Sequence, residues 1–147
     1  MNLCFFGHAD FQETPEMEKE VVAFLEAHIP PSSATFLLGE HGNFDFFAYR
    51  CCCQYKKMHP TTRIELIIPY REWNNHMALR PMVDHIVYPN LDHVPKRFAI
   101  LRRNSWMINQ SDLIIAYVNY HRGGAYQAIQ QALKKGKKIK NFGKLSV

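Results

Sequence analysis

Short apolar runs of β-type residues alternate along this chain with longer stretches in which apolar positions recur at helical spacing. Asn2–Phe6 reads as a first strand ending at Gly7. Pro15–His28 reads as a helix with Val21, Val22, Phe24 and Leu25 as its apolar stripe. Pro30-Pro31-Ser32-Ser33 breaks the pattern, and Thr35–Leu38 gives a second strand ending at Gly39. A helix is predicted over Asp45–Lys57, just after Gly42, and a third strand over Arg63–Ile68, ending at Pro69. The polar stretch 71–82 has room for a short helix, and His85–Tyr88 is a weak fourth strand. Pro95–Gln110 reads as a long helix, since proline suits a first helical turn. Leu113–Val118 is a fifth strand, Gly123–Lys135 a last helix closed by Gly136, and Lys138–Asn141 a short edge strand.

Such alternation calls for a mostly parallel sheet with helices on both faces. No repeat, linker or low-complexity segment interrupts it. One doubly wound α/β domain accounts for residues 1–147. Apolar residues make up 47% and charged residues 21%, which are globular values and exclude wholesale disorder. No run approaches the ~20 apolar residues of a membrane helix. The first residues carry neither the basic flank nor the apolar length of a signal peptide, so a cytoplasmic protein is expected, without a membrane partner.

Net charge is +5, but its location matters more than its size. Lysines 134, 135, 137, 138, 140 and 144 crowd the C-terminal end, and the rest of the chain is nearly balanced. A solvated lysine-rich helix end explains this, so nucleic acid is not the expected partner. Cys51, Cys52 and Cys53 are consecutive, and on a helix they point about 100° apart, so they cannot converge on one ion. Neither a metal site nor a bound cofactor is expected from the cysteine and histidine spacing.

Ligands of doubly wound sheets bind beyond the carboxyl ends of the strands. Those ends carry Gly7-His8-Ala9-Asp10, then Gly39-Glu40-His41-Gly42-Asn43-Phe44-Asp45, then Pro69-Tyr70, then Asn119-Tyr120-His121-Arg122-Gly123-Gly124-Ala125-Tyr126. Glycine loops that open helices let backbone N–H groups approach an anion. Gly123-Gly124 is the better phosphate candidate, with Arg122 beside it for a charge-assisted bond. The glycines would serve equally as tight turns. Neither loop matches Gly-x-Gly-x-x-Gly or a P-loop. Asp45 is either a first-turn cap or a carboxylate that grips a ribose hydroxyl or orients its loop. On a continuous helix Arg97 and Asn104 share a face with Leu101 and Ile108. Such a polar pair either borders a pocket or snorkels to neighbouring loops. Phe44, Tyr70 and Tyr126 could stack a base.

Several of these motifs resemble the SLOG superfamily. Gly39-x-x-Gly42-x-Phe44-Asp45 is similar to the GGxGxFD loop of its small members. Tyr88-Pro89, Pro95-x-Arg97-Phe98-x-Ile100, Arg103-Asn104-x-Trp106-Met107, Ser111-Asp112 and Gly123-Gly124-Ala125-Tyr126 resemble the same group in order. The resemblance implies a Rossmann-like domain that binds a nucleotide or nucleotide-derived small molecule. It implies dimers or higher homo-oligomers, for which Phe98, Trp106 and Met107 are candidate contacts. Its LOG members cleave the N-glycosidic bond of nucleoside monophosphates, and others are ligand sensors in conflict and defence systems. A phage-encoded copy could sequester a defence signal. This chain departs from the LOG pattern PGGxGTxxE: Tyr126-Gln127 replaces the Gly-Thr pair and Gln130 stands at the glutamate position. Glutamine can neither transfer a proton nor stabilise an oxocarbenium ion by charge. Binding, for sensing or sequestration, is therefore the leading expectation. A nucleotide glycosidase or transferase using Asp45, Glu40 or Asp10 is the alternative, and an interaction protein with a vestigial pocket is a third.

Overall fold

The computed structural model describes residues 1–30, 33–73 and 83–147. Six strands form one parallel sheet: β1 (Asn2–Gly7), β2 (Thr35–Leu38), β3 (Arg63–Ile67), β4 (His85–Val87), β5 (Leu113–Tyr117) and β6 (Lys138–Asn141), in the order β4-β3-β2-β1-β5-β6. Among the described residues four α-helices accompany them: α1 (Pro15–His28), α2 (Asn43–Met58), α3 (Ala99–Gln110) and α4 (Gly124–Lys134). This is the doubly wound, Rossmann-like arrangement that the strand–helix alternation predicts.

Strand alternation builds the two sides of the core. Leu3 and Phe5 of β1 face one way, into a cluster with Val21 and Leu25 of α1 and Phe44, Phe47 and Tyr55 of α2. Cys4 and Phe6 face the other way, against Met107 and Ile108 of α3 and Ala125, Ala128, Ile129 and Ala132 of α4. The alanine stripe of α4 lets that helix approach the sheet closely. β5 is buried along its whole length, as a central parallel strand should be. The edges differ: β4 is short, and β6 exposes Lys138 and Lys140, both deterrents to edge pairing.

The chain lays down β1 to β4 in one direction and then returns to place β5 on the other flank of β1. Gly7 pairs with Tyr117, so β1 and β5 end level. The loops that follow them leave in opposite directions, and a crevice opens between them.

Two boundaries depart from the sequence expectation for physical reasons. The helix expected over 95–110 is not continuous: Lys96–Phe98 form a 3-10 turn, and α3 starts only at Ala99. α2 begins at Asn43, two residues earlier than expected, because the Asp45 side chain caps the loop before it. Of the segment expected to hold a short helix, residues 71–73 form a turn and 74–82 lie outside the described residues, as do Pro31 and Ser32 of the breaker. Among the described residues no helix is long and apolar enough to cross a membrane, and no cluster of three or more His, Cys, Asp or Glu could hold a metal ion. Cys4, Cys51 and Cys52 are buried as apolar filler, and burial pushes the Cys4 thiol up to about 12.

Candidate functional site

The crevice at the reversal of strand order holds a cavity of about 340 Å³. β1 and its loop supply Gly7, His8 and Asp10; the loop after β2 and the start of α2 supply Gly39, His41 and Asp45. α3 supplies Arg103, Asn104 and Met107, and the β5–α4 connection supplies Tyr120, Gly123, Gly124 and Ala125.

His8 anchors the two diverging loops to each other. Its Nε2 accepts the backbone N–H of Asn119 at 3.0 Å, which requires that nitrogen to be unprotonated. The ring is 6% exposed and stacks on Tyr120, with centroids 3.8 Å apart. Tyr120 donates its hydroxyl to Asp10 at 3.2 Å, and the Arg122 guanidinium lies over the Tyr120 ring. Burial holds the His8 imidazole below its ordinary range; Asp10 opposes this and Arg122 adds to it.

The loop after β2 is shaped by one carboxylate and one close approach. Asp45 Oδ2 accepts the N–H of His41 at 2.7 Å and of Gly42 at 3.3 Å. Gly42 lies against the β1 loop, where a Cβ would sit 2.6 Å from the Cα of Ala9. Asn43 then donates its backbone N–H to the Ala9 carbonyl at 3.0 Å. Phe44 packs directly over Gly7, where a Cβ would come within 2.1 Å of the ring.

Arg103 is the most deeply buried charge lining the cavity. It is 3% exposed, yet its hydrogen bonds go to neutral acceptors: Nη1 to the Ile67 carbonyl at 3.2 Å and Nε to Asn104 Oδ1 at 3.0 Å. Burial lowers its pKa from the ordinary guanidinium value, and the Asp45 charge acts against that through space. Arginine nevertheless stays protonated. Gly39 leaves room for it, since a Cβ there would be 3.0 Å from Nη1. Gly123 enters α4 with φ of 91°, a left-handed conformation that favours glycine. The first-turn amides of α4 have no acceptor within the helix, and their end of the helix dipole is positive. A buried guanidinium and a helix N-terminus thus border one cavity, an arrangement suited to an anion.

The sequence-derived candidates divide between this cavity and the rest of the molecule. Gly7, His8, Gly39, Asp45, Asn104, Gly123, Gly124 and Ala125 line it. Gly42 shapes the loop behind it. Phe44 is 1% exposed within the core and offers no face to a base. Glu40 is 0% exposed and outside the lining, so burial takes it from a ligand's reach. Tyr126 packs on the α3–α4 side of the core and meets the His121 ring. Arg122 is exposed above Tyr120. Pro69 and Tyr70 line a separate hollow of about 190 Å³ with Arg71, Tyr88 and Lys96. Arg97 is exposed on the 3-10 turn, its guanidinium over the Phe98 ring. The helical phase that joined Arg97 to Asn104 fails because the chain is not α-helical at Arg97. The residue beside Asn104 in the cavity is instead Arg103. The signal for it is the buried set Ala99, Arg103, Asn104, Met107 and Ile108, a continuous α-helical stripe once the helix starts at Ala99. Tyr120, part of the loop that the sequence places after β5, lines the cavity as well, but nothing in the sequence gives it a role, because aromatic residues in loops carry no periodicity.

Fold and crevice together define a Rossmann-like α/β domain with its polar cavity at the strand-order reversal. No family model matches the sequence, and no curated protein does. Solved structures do share the fold. DNA processing protein A from Streptococcus pneumoniae is similar over 95% of this chain with a TM-score of 0.67 and 13% identity. DNA processing protein A from Helicobacter pylori, known for its single-stranded DNA binding mode, is similar over 96% with a TM-score of 0.65 and 17% identity. The protein TM1055 is similar over 94% with a TM-score of 0.61 and 14% identity. The chain spans 49%, 64% and 71% of those three chains respectively. At such identities the likeness is one of fold.

Proposed function

We propose that this chain is a small SLOG-type domain that binds a nucleotide or nucleotide-derived small molecule, to sense or sequester it. The observation that carries this is Arg103: a buried cation with neutral partners, beside the N-terminus of α4. Burying a charge without a bonded counter-charge is costly, and an incoming phosphate offsets that cost. Gly123 and Gly124 leave the helix end open to the phosphate, while Asn104 supplies an amide for a sugar or base edge. His8 and Tyr120 offer a ring edge at the opposite wall. Binding without turnover fits the carboxylates available. Asp45 already accepts two backbone N–H groups, Glu40 is buried, and Gln130 occupies the position of the LOG glutamate. Incubation with a nucleotide panel, followed by filtration and analysis of both fractions, tests this: the expected result is a ligand retained intact.

A glycosidase reading is favoured by Asp10, which lines the cavity with its carboxylate held by Tyr120. It requires free base in the filtrate, lost on Asp10→Asn. A single-stranded nucleic acid at the same edge is favoured by the fold shared with the Helicobacter pylori protein. Against it, Lys137 is tied to the carbonyls of Asn109 and Ser111, and Lys140 lies over Phe24 and Phe142, so the basic cluster is partly spent within the molecule. That reading requires oligonucleotide affinity that falls steeply with salt. Homo-oligomerisation would keep Phe98 of the three expected contacts and lose Met107. Met107 is buried in the core and Trp106 half-buried, whereas Phe98 and Leu101 are exposed. Sedimentation of Phe98→Ser beside the parent chain checks this.

A further inference from the structure

The β1 and β5 loops do not merely bound one cavity; they divide the crevice. On the side away from Arg103 lies a second cavity of about 580 Å³, against α1 and the segment after β6. Both cavities are lined by His8, Asp10 and Tyr120, so a single layer of side chains separates them. They differ in their cations. The first sets the buried Arg103 and the α4 N-terminus beside the carboxylates of Asp10 and Asp45. The second has the carboxylates of Asp10 and Glu20 with the single ammonium of Lys144, over an aromatic floor. In that floor Tyr117 and Phe142 stack with centroids 5.7 Å apart at 21°.

Its far wall is a built structure. Asn141 Oδ1 accepts the N–H of Val118 at 2.9 Å and of Gly143 at 3.0 Å. Asn141 Nδ2 donates to the carbonyls of Val118 at 3.0 Å and Leu145 at 2.7 Å. Asn119 Oδ1 accepts the Lys144 N–H at 2.9 Å. Gly143 seats so closely on β5 that a Cβ would come within 2.3 Å of the Val118 carbonyl. Two asparagines thus pin the segment after β6 across the end of β5.

We propose that the second cavity receives a nucleoside unit, so that the ligand is a two-part molecule: two nucleosides joined through phosphate, laid across the His8–Tyr120 partition. This rests on the nucleotide-binding reading above and extends it. Carboxylates that accept hydroxyl protons, set over an aromatic floor, suit a sugar and base. The Arg103 guanidinium, which lines the first cavity and not the second, keeps the phosphates there. Binding across the point of strand-order reversal is the geometry open α/β sheets provide for two-part ligands.

Calorimetric titration of the whole chain with ADP and with diadenosine pyrophosphate, and with the guanosine pair alongside, isolates the second nucleoside. The partners within each pair differ by that unit and by the one phosphate charge that its ester linkage removes, a loss that works against tighter binding at Arg103. Engaging it should make the dinucleotide bind at least about tenfold tighter. Gln12→Trp, at an exposed rim position of the second cavity, should abolish that advantage and leave the mononucleotide affinity within about twofold, at an unchanged unfolding midpoint. Glu20→Gln should reduce the advantage without removing it. Equal affinity of the paired ligands, or an advantage that survives Gln12→Trp, overturns the two-part ligand and leaves the first cavity's reading intact. Binding of none of the four ligands overturns the nucleotide reading, and the extension with it.

Discussion

Arg103→Met separates a charge kept for a ligand from a charge kept for the fold. The substitution preserves most of the side-chain volume and removes the guanidinium. Two hydrogen bonds to a charged donor are lost, each worth about 1.5–3 kcal/mol. Against this, the guanidinium no longer has to be held out of water, which relieves a penalty of several kcal/mol, roughly the same size. Those terms nearly cancel because Arg103 has neutral acceptors and no bonded carboxylate among the described residues. The variant should therefore unfold within about 4 °C of the parent, as expected for a net change near 1 kcal/mol in a domain of this size. Ligand-linked stabilisation should behave differently. A nucleotide at a hundred times its Kd adds about 2.7 kcal/mol to the parent. The variant should gain almost none of it. Thermal unfolding with and without nucleotide reads both effects in one experiment. A loss above about 4 kcal/mol without ligand, with the ligand-induced shift preserved, would refute the reasoning, since breaking a compensated buried pair costs that much.

Asp45→Ala should cost about 1–2 kcal/mol by orphaning the His41 and Gly42 amides, and Asp45→Asn less, as read from urea unfolding midpoints. Gly7→Ala should cost about 1–3 kcal/mol or more, because its Cβ meets the Phe44 ring, and the companion Gly7→Ala/Phe44→Leu variant should recover part of that stability. Asn141→Ala leaves the Val118 and Gly143 amides and the Leu145 carbonyl unpaired; it should cost about 2–4 kcal/mol and accelerate exchange of the Val118 amide in a hydrogen-exchange experiment. His8 is held neutral by burial, so its native pKa lies below its unfolded value. Its stabilising share is present above the unfolded pKa and lost as pH falls through that value toward the native one. Acidification from neutrality should therefore lower the unfolding midpoint, and His8→Gln should flatten that slope without reversing it.

Much of the fold was legible because parallel sheets leave strong local marks. Strands that end in Gly7, Gly39 and Pro69 and alternate with amphipathic helices admit few other architectures. The carboxyl-edge loops could be named for the same reason, and most residues named on them border the cavity. What sequence could not show was side-chain direction at the places where a helix begins. Pro95 suits a first helical turn, but the chain passes through a 3-10 turn before α3 starts, and this rotates the phase. Arg97 therefore moved out to solvent and Arg103 moved in. Phe44 and Glu40 misled for a different reason. Both sit on a loop or helix start at the sheet edge, yet Phe44 turns inward to cover Gly7 and Glu40 is enclosed. The second cavity was invisible because Asn141 and Asn119 build it through contacts between segments remote in sequence.

The most direct test of the central claim is to incubate the protein with a panel of mono- and dinucleotides, remove unbound material, and identify what is retained and what is released by chromatography with mass detection. The account predicts a nucleotide retained with its glycosidic bond intact in the parent chain and not in Arg103→Met. Free base in solution, or retention that does not depend on Arg103, would contradict it.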